Sequence, residues 1–500
     1  MDVAQTRQLE SLAAARIGDG PNLMAQAGLA IAKLALAAHP FANCYWIFCG
    51  PGNNGGDGLE AATHLHQWGQ TVQVVLWQPE NKRPQDATQA LQKEKALGIA
   101  IQDQLPKSMS PHDVCIDAML GIGLRAPDAN SPTSEATLQM DSWIDEIYQY
   151  GTNVLAVDVP SGLNANTGQF QTSGVGVHRH ATHTLQLLTA KPGCLTAMGR
   201  DACGMLWLDT LGSDDLQSSM PAAAQLNFKA QGPNKALHAS HKGTYGDVTI
   251  IGGESIEQRG MGMTGAVDLA ASAALHAGAG RVMACYVSGN AKTVQTSPRW
   301  PEIMLRDFAA LQLRNGVMVC GCGGGLAVIK VLPKVLQECS QLVLDADALN
   351  AIAKDPWLRE LLQQRAAKQL TTVITPHPLE AARLLNTDSA TVQHDRLHAA
   401  QKLADDLRCT VVLKGSGTVI AKTHQTPVIN PTGNARLATG GTGDVLAGLL
   451  GARLAQGMSE FEAACAAVFE QGEAADRCDL PTLTAGKLAE LIRGPQTASS

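Results

Sequence analysis

Thr439-Gly440-Gly441-Thr442-Gly443 runs straight into Asp444, and an apolar helical pattern of Val445, Leu446, Leu449 and Leu450 begins at once. Such a turn aims several backbone N–H groups and the positive end of a helix at one spot, which suits an anion. A carboxylate there would repel a bound phosphate. It makes sense if Asp444 takes a proton from a hydroxyl while the bare N–H groups hold a phosphoryl group in transfer. The alternative is a simple helix cap, which does not need this density of glycine. Upstream, Lys414-Gly415-Ser416-Gly417-Thr418 sets a lysine and hydroxyls on a tight glycine turn, a second device for gripping phosphates.

A second set of residues lies in the first half of the chain. Gly50-Pro51-Gly52-Asn53-Asn54-Gly55-Gly56-Asp57-Gly58 follows an apolar run and opens a helix, without forming the GxGxxG dinucleotide pattern. Asp117 ends one strand-like run and Asp158 another, each leading into a glycine-containing loop. Ligands of open parallel sheets lie at the carboxyl ends of strands, so these loops are expected to converge. Asn54, Asp117 and Ser161 offer hard oxygen donors for a cation such as K⁺.

The elements that must position these residues are strands alternating with helices. Tyr45–Cys49, Thr71–Trp77, Val114–Asp117, Val154–Asp158 and Thr184–Leu188 read as strands of one sheet, and runs from Asp247 to Leu413 as those of another. This predicts an α/β chain of two domains, residues 1–215 and 228–495: a Rossmann-like doubly wound sheet, then a second α/β domain. The segment Gly212–Asn234 is expected to be a linker or domain-edge segment. Hydrophobic content of 45%, charged content of 17% and 49 glycines suit buried parallel sheets. A net charge of −7 without a basic run speaks against nucleic acid and anionic membranes as partners. No signal-like start and no bilayer-length apolar run stand out, and 12 scattered cysteines suit reduced thiols, so a cytoplasmic enzyme is expected.

Gly50–Gly58, Asp117–Leu124, Val157–Gly168 and Lys191-Pro192-Gly193 together resemble the NAD(P)H-hydrate epimerase domain. The resemblance implies that Asn53, Asn54, Gly55, Gly56 and Asp57, with Gly121, Ile122, Gly123, Leu124, Arg125, Ala126 and Pro127, bind a hydrated dinucleotide. It implies that Asn54, Asp117 and Ser161 hold K⁺ and that Asp158 is the acid/base residue. Lys191 either assists Asp158 or is a solvated turn residue.

The second half is similar to the ADP/ATP-dependent NAD(P)H-hydrate dehydratases, a ribokinase-like family. The matching pieces are His241–Gly246, Gly262–Ala266, Asp345–Asn350, Thr375–Pro378, Lys414–Thr418 and Asn434–Gly448. By that resemblance Lys414, Gly415, Ser416, Gly417 and Thr418, with Asn434-Ala435-Arg436-Leu437-Ala438-Thr439-Gly440-Gly441-Thr442-Gly443, bind ADP or ATP. Ala266, Gly323 and His377 contact the hydrated nicotinamide, and Asp444 deprotonates its hydroxyl. Phosphoryl transfer, served by Mg²⁺, makes that hydroxyl a leaving group, and loss of phosphate restores NADH or NADPH. The chain is expected to be a homo-oligomer.

The chain departs from the family pattern at Leu379 (usually glycine), at Gly321-Cys322-Gly323-Gly324-Gly325 (usually a Gly-Pro-Gly loop) and at Ala435-Arg436 (usually Pro-Gly). Three other features could mislead. His178, His180 and His183 invite a zinc reading, but alternation along a strand separates them. Cys320 and Cys322 read as packing residues. Asp345 and Asp347 could pair on a metal or shape a strand-end crevice. A kinase that keeps its phosphorylated product, or a first domain that only binds, as in mRNA-decapping scaffolds, are the rival functions.

Overall fold

Val114-Cys115-Ile116-Asp117-Ala118 is buried at every position, the pattern of a central strand covered on both faces. In the computed structural model, which describes residues 1–17, 21–77, 82–123, 135–150, 152–170, 179–228, 238–287 and 299–494, it is β4 of a parallel sheet. The chain divides into two compact units, Met1–Ala223 and Ala224–Ser500.

The first unit holds β1 (Tyr45–Cys49), β2 (Val72–Leu76), β3 (Ala100–Gln102), β4 (Val114–Ala118), β5 (Asn153–Val157), β6 (His183–Leu187) and β7 (Met205–Asp209). Their order is β3-β2-β1-β4-β5-β6-β7. The direction of winding reverses between β1 and β4, which opens a crevice at their carboxyl ends. Register brings the site loops together: Cys49 lies opposite Ala118, and Asp117 opposite Ala156. The helix Asn53–Gln67 starts three residues after β1, so Asn53–Asp57 form its first turns rather than a loop ahead of it.

The second unit holds β8 (Gln225–Leu226), β9 (Asp247–Gly252), β10 (Arg281–Tyr286), β11 (Met304–Leu305), β12 (Val317–Cys320), β13 (Gln341–Leu344), β14 (Thr371–Ile374), β15 (Thr410–Leu413), β16 (Val419–Ala421) and β17 (Val428–Ile429). Their order is β11-β10-β9-β12-β13-β14-β15-β16-β17-β8. The reversal here lies between β9 and β12. Cys320, Leu344 and Ile374 share one level across β12, β13 and β14, so the residues that follow each strand emerge side by side. One face is covered by the helices Thr264–His276 and Thr442–Ala455, the other by helices that include Ala346–Lys354 and Pro378–Leu385. The helix Thr442–Ala455 is buried from Val445 to Leu454, as befits the apolar run after Asp444.

The segment Gly212–Asn234, expected as a linker or domain edge, contains a helix, Asp214–Ser219, and the strand β8, which pairs with β17, and the division between the two units falls within it. Two-residue strands such as β8, β11 and β17 carry no readable alternation, so only their partners define them.

Candidate functional sites

In the first unit, Asp158 leaves β5 with a φ of 66°, a left-handed conformation that costs a non-glycine residue energy and re-aims its side chain. Its Oδ1 accepts hydrogen bonds from the Leu187 N–H at 3.0 Å and from the Lys191 ammonium. Lys191 is wholly buried and also donates to the Leu187 carbonyl at 2.6 Å. The solvated-turn alternative for Lys191 therefore does not hold. Asp57 lies nearby. Burial, with the charges of Asp158, Glu10 and Glu60, pushes its carboxyl well above the usual range, against the pull of Lys191.

Asp117 is fully buried and belongs to a separate network. Its Oδ1 accepts from the Ser161 hydroxyl at 2.6 Å, and its Oδ2 from the Ser161 N–H at 3.0 Å and the Tyr148 hydroxyl at 2.7 Å. Ser161 Oγ in turn accepts from the Leu120 N–H at 2.8 Å. Asn54 reaches this corner from the helix: a Cβ on Gly121 would lie 2.9 Å from its Oδ1. The Asn54 Nδ2 is buried without a hydrogen-bond partner. Turning that amide over puts a carbonyl oxygen where the orphaned donor stands, the group an alkali cation needs. Asn54, Asp117 and Ser161 fit K⁺ in this respect. Gly121 packs against Asn54 at this corner and Ile122 and Gly123 follow it, while Leu124, Arg125, Ala126 and Pro127 lie outside the described residues.

Glycine is required here by contact. A Cβ on Gly50 would meet the Met119 carbonyl oxygen at 1.9 Å, and one on Gly55 the Gly50 carbonyl oxygen at 2.1 Å. Tyr148 and Arg179 were missed in the sequence. Arg179 is buried, pairs with Asp145 at 2.7 Å and donates to the Ser161 carbonyl at 3.2 Å, bracing the loop after Asp158.

In the second unit Asp444 is the third residue of its helix, and Gly441, at a φ of 94°, is the N-cap. No side-chain cap hydrogen bond is made, so Asp444 is not serving as the cap. Burial, reinforced by Asp345, raises its carboxyl to about 7, while the Cys322 thiol and Lys414 pull the other way. Asp345 Oδ1 accepts from Lys414 Nζ at 2.8 Å and from the Thr375 hydroxyl at 2.7 Å. Burial works against the Lys414 charge, but Asp345 and Glu380 outweigh it and raise its proton affinity. A Cβ on Gly443 would stand 3.2 Å from Lys414 Nζ, so the lysine points at the turn before Asp444.

Asp347 accepts from the Gly325 N–H at 2.8 Å, on the loop after β12. Cys320 and Cys322 are both buried packing residues, as expected, and Cys322 also lies beside Asp444. The side-chain donor atoms of Cys322, Asp345 and Asp444 lie within 4.8 Å of one another. A thiol in that set suits hard Mg²⁺ poorly, and Lys414 already supplies a cation, so these side chains do not form a magnesium cage.

Gly323, at a φ of 57°, packs against Ala266: a Cβ there would lie 2.9 Å from the alanine methyl. His377 caps the helix Pro378–Leu385, its Nδ1 accepting from the Leu379 and Glu380 N–H groups, while its ring stays partly exposed. Gly415, at a φ of 139°, and Gly417 let the chain turn before Thr418, whose hydroxyl donates to the Gly415 carbonyl at 3.1 Å. The turn rests on Arg396, a buried guanidinium that sequence reasoning missed. It donates to the Leu413 and Lys414 carbonyls at 3.1 and 3.2 Å. Asn434 accepts from the Arg436 N–H and donates to Asp476 at 2.8 Å, and Ala435–Leu437 form a short 3₁₀ turn. His180 and His183 bond to different partners, the Asp201 carbonyl and the Thr182 hydroxyl, and His178 lies outside the described residues.

Two family models match in chain order. Residues 20–193 match one described as the YjeF-related protein N-terminus, and residues 248–493 one described as NAD(P)H-hydrate dehydratase. The chain is 36% identical over 480 residues to the bifunctional NAD(P)H-hydrate repair enzyme of Escherichia coli, with 93% of this chain and 87% of that one covered. The chain belongs to the bifunctional NAD(P)H-hydrate repair enzyme family.

Within that family, the second half is 44% identical over 245 residues to the ADP-dependent (S)-NAD(P)H-hydrate dehydratase of Neisseria meningitidis, covering 47% of this chain and 78% of that one. The solved structure of the ADP/ATP-dependent NAD(P)H-hydrate dehydratase of Bacillus subtilis, co-crystallised with ATP and Mg²⁺, is 28% identical. It covers 52% of this chain and 91% of its own, with a TM-score of 0.43.

Proposed function

We propose that the chain repairs hydrated nicotinamide cofactors: the first unit interconverts the R and S epimers of NAD(P)H hydrate, and the second dehydrates the S epimer at the expense of ADP or ATP. The observation that carries this reading is Asp444. It is a partly buried carboxyl with a proton affinity near neutrality, set in the first turn of a helix beside Lys414. A base poised there takes the proton from the substrate hydroxyl as its oxygen attacks the terminal phosphorus of the nucleotide. The helix N-terminus, the Gly440–Gly443 amides and Lys414 hold the transferring group, and AMP or ADP leaves. Loss of phosphate from the substrate carbon, with loss of a proton from the neighbouring carbon, then restores the ring double bond. Mg²⁺, carried on the nucleotide phosphates, supplies charge neutralisation when bound.

In the first unit, Asp158 accepts and returns the proton at the epimerising centre, and Lys191 holds its carboxylate in place. Asn53–Asp57 and Gly121–Pro127 receive the dinucleotide. K⁺ would be held by Asn54, Asp117 and Ser161 and would supply positive charge beside the substrate phosphates. The active species is a homo-oligomer in this reading.

The test is recovery of nicotinamide absorbance from a mixture of NADH hydrate epimers with K⁺, Mg²⁺ and either nucleotide. Wild type should recover all of it. Asp158→Ala should stop, over a short time course, at the S-epimer fraction, and Asp444→Ala should lose about a thousandfold or more in kcat. No recovery with either nucleotide overturns the proposal. Release of a phosphorylated product without free phosphate would instead favour a kinase.

A further inference from the structure

Cys322 leaves β12 in the loop Gly321–Gly325, where this chain departs from the Gly-Pro-Gly pattern that its second half resembles. The side chain is fully buried. Gly321, at a φ of 121°, and Gly323, at 57°, flank it and fix the loop path. The Cys322 carbonyl accepts from the Gly253 N–H at 3.0 Å, so the loop is tied to the strand on the other side of the switch point. The thiol is thereby held beside Asp444, its sulfur within 4.8 Å of a carboxylate oxygen.

An S–H group can only donate to a carboxylate. Burial and the carboxylates of Asp444 and Asp345 push the Cys322 thiol well above its ordinary range, so it keeps its proton at working pH. The other charged groups facing Asp444 are Asp345 and Asp347, which disfavour its ionised form, and Lys414, which favours it. Lys414 is also spent on Asp345. Proline at this position would have no side-chain donor at all.

We infer that Cys322 is a positioning residue of the dehydration site: its thiol donates to Asp444, fixes which carboxylate oxygen faces the substrate hydroxyl, and stabilises the ionised base. This rests on the reading of Asp444 as the base.

The test is the pH dependence of kcat and KM of the full-length protein for S-NADH hydrate, in wild type, Cys322→Ala and Cys322→Ser. A base that must be ionised gives a rate that rises with pH through its pKa. Removing a donor to the ionised form raises that pKa. In Cys322→Ala the acid limb should move to higher pH by about 0.5 to 1 unit, and kcat should fall by about three- to tenfold. KM for both substrates should stay within about twofold. Cys322→Ser keeps a donor and should restore the wild-type limb or move it to lower pH. Carbon-13 signals of the aspartate carboxyls, followed against pH without ligand, should show the same displacement. Superimposable profiles in all three proteins, or an equal loss in Ala and Ser without movement of the limb, would overturn the inference. Failure of wild type to dehydrate the substrate would overturn the proposed function itself, and the carboxyl titration would still decide whether the thiol tunes Asp444.

Discussion

Glu94 lies on the helix Gln85–Leu97 with its carboxyl wholly buried and both oxygens without a hydrogen-bond partner. Burial, with some repulsion from Glu60, raises its pKa to about 9. The folded chain therefore keeps this proton up to about pH 9, whereas the unfolded chain releases it near the ordinary value of 4.5. Between those limits the folded state binds more protons, and its stability falls as pH rises. Glu94→Gln should match wild type near pH 4 and be more stable at pH 8 by about 1 to 3 kcal/mol. Urea unfolding monitored for the first unit at both pH values checks this. Nothing in Gln85–Leu97, a run rich in Lys, Glu and Gln, marks Glu94 as buried, so the sequence hides it. Asp444 was legible because its turn and helix are contiguous. The Lys414–Asp345 pair joins residues 69 apart in the chain, and Tyr148 reaches Asp117 across 31, so neither could be read along the sequence. Cys322 is packing, as read, but its neighbour Asp444 is brought in by another element, so their proximity could not be read along the sequence either.

Contact between helices separates glycines that serve packing from those that make room. A Cβ on Gly448 would meet the Ala270 carbonyl oxygen at 1.9 Å, where the helices Thr264–His276 and Thr442–Ala455 cross. A Cβ on Gly440 meets nothing within 4 Å, and Gly440 itself, unlike Gly441, has no left-handed backbone. Gly448→Ala should therefore cost about 3 kcal/mol or more in an unfolding titration. Gly440→Ala should change stability by less than about 0.5 kcal/mol and, on the proposal that this open space receives the nucleotide phosphates, raise the nucleotide KM about tenfold. At this scale the long parallel strands were legible from their apolar runs. The antiparallel β16, three residues long, and the two-residue β17 were not, because so short a run holds less than two periods of alternation.

Each core cluster is drawn from one unit alone: those of the first lie between Met1 and Met220, those of the second between Val248 and Ile492. Two self-contained cores on one chain predict two cooperative transitions in calorimetry. They also predict that residues 1–223, produced alone, epimerise the hydrate without dehydrating it; absence of folding or of epimerisation in that fragment would count against independent units. The two-domain division and the α/β class were legible from alternating patterns, whereas β8 was not, because it has no identity until β17 lies beside it. That late pairing has a consequence for synthesis. The first unit is complete once residue 223 has left the ribosome, but β8 must wait some two hundred residues for its partner, and Asp444 comes later still. A chain that stalls in its second half would still shuffle epimers and could never clear them.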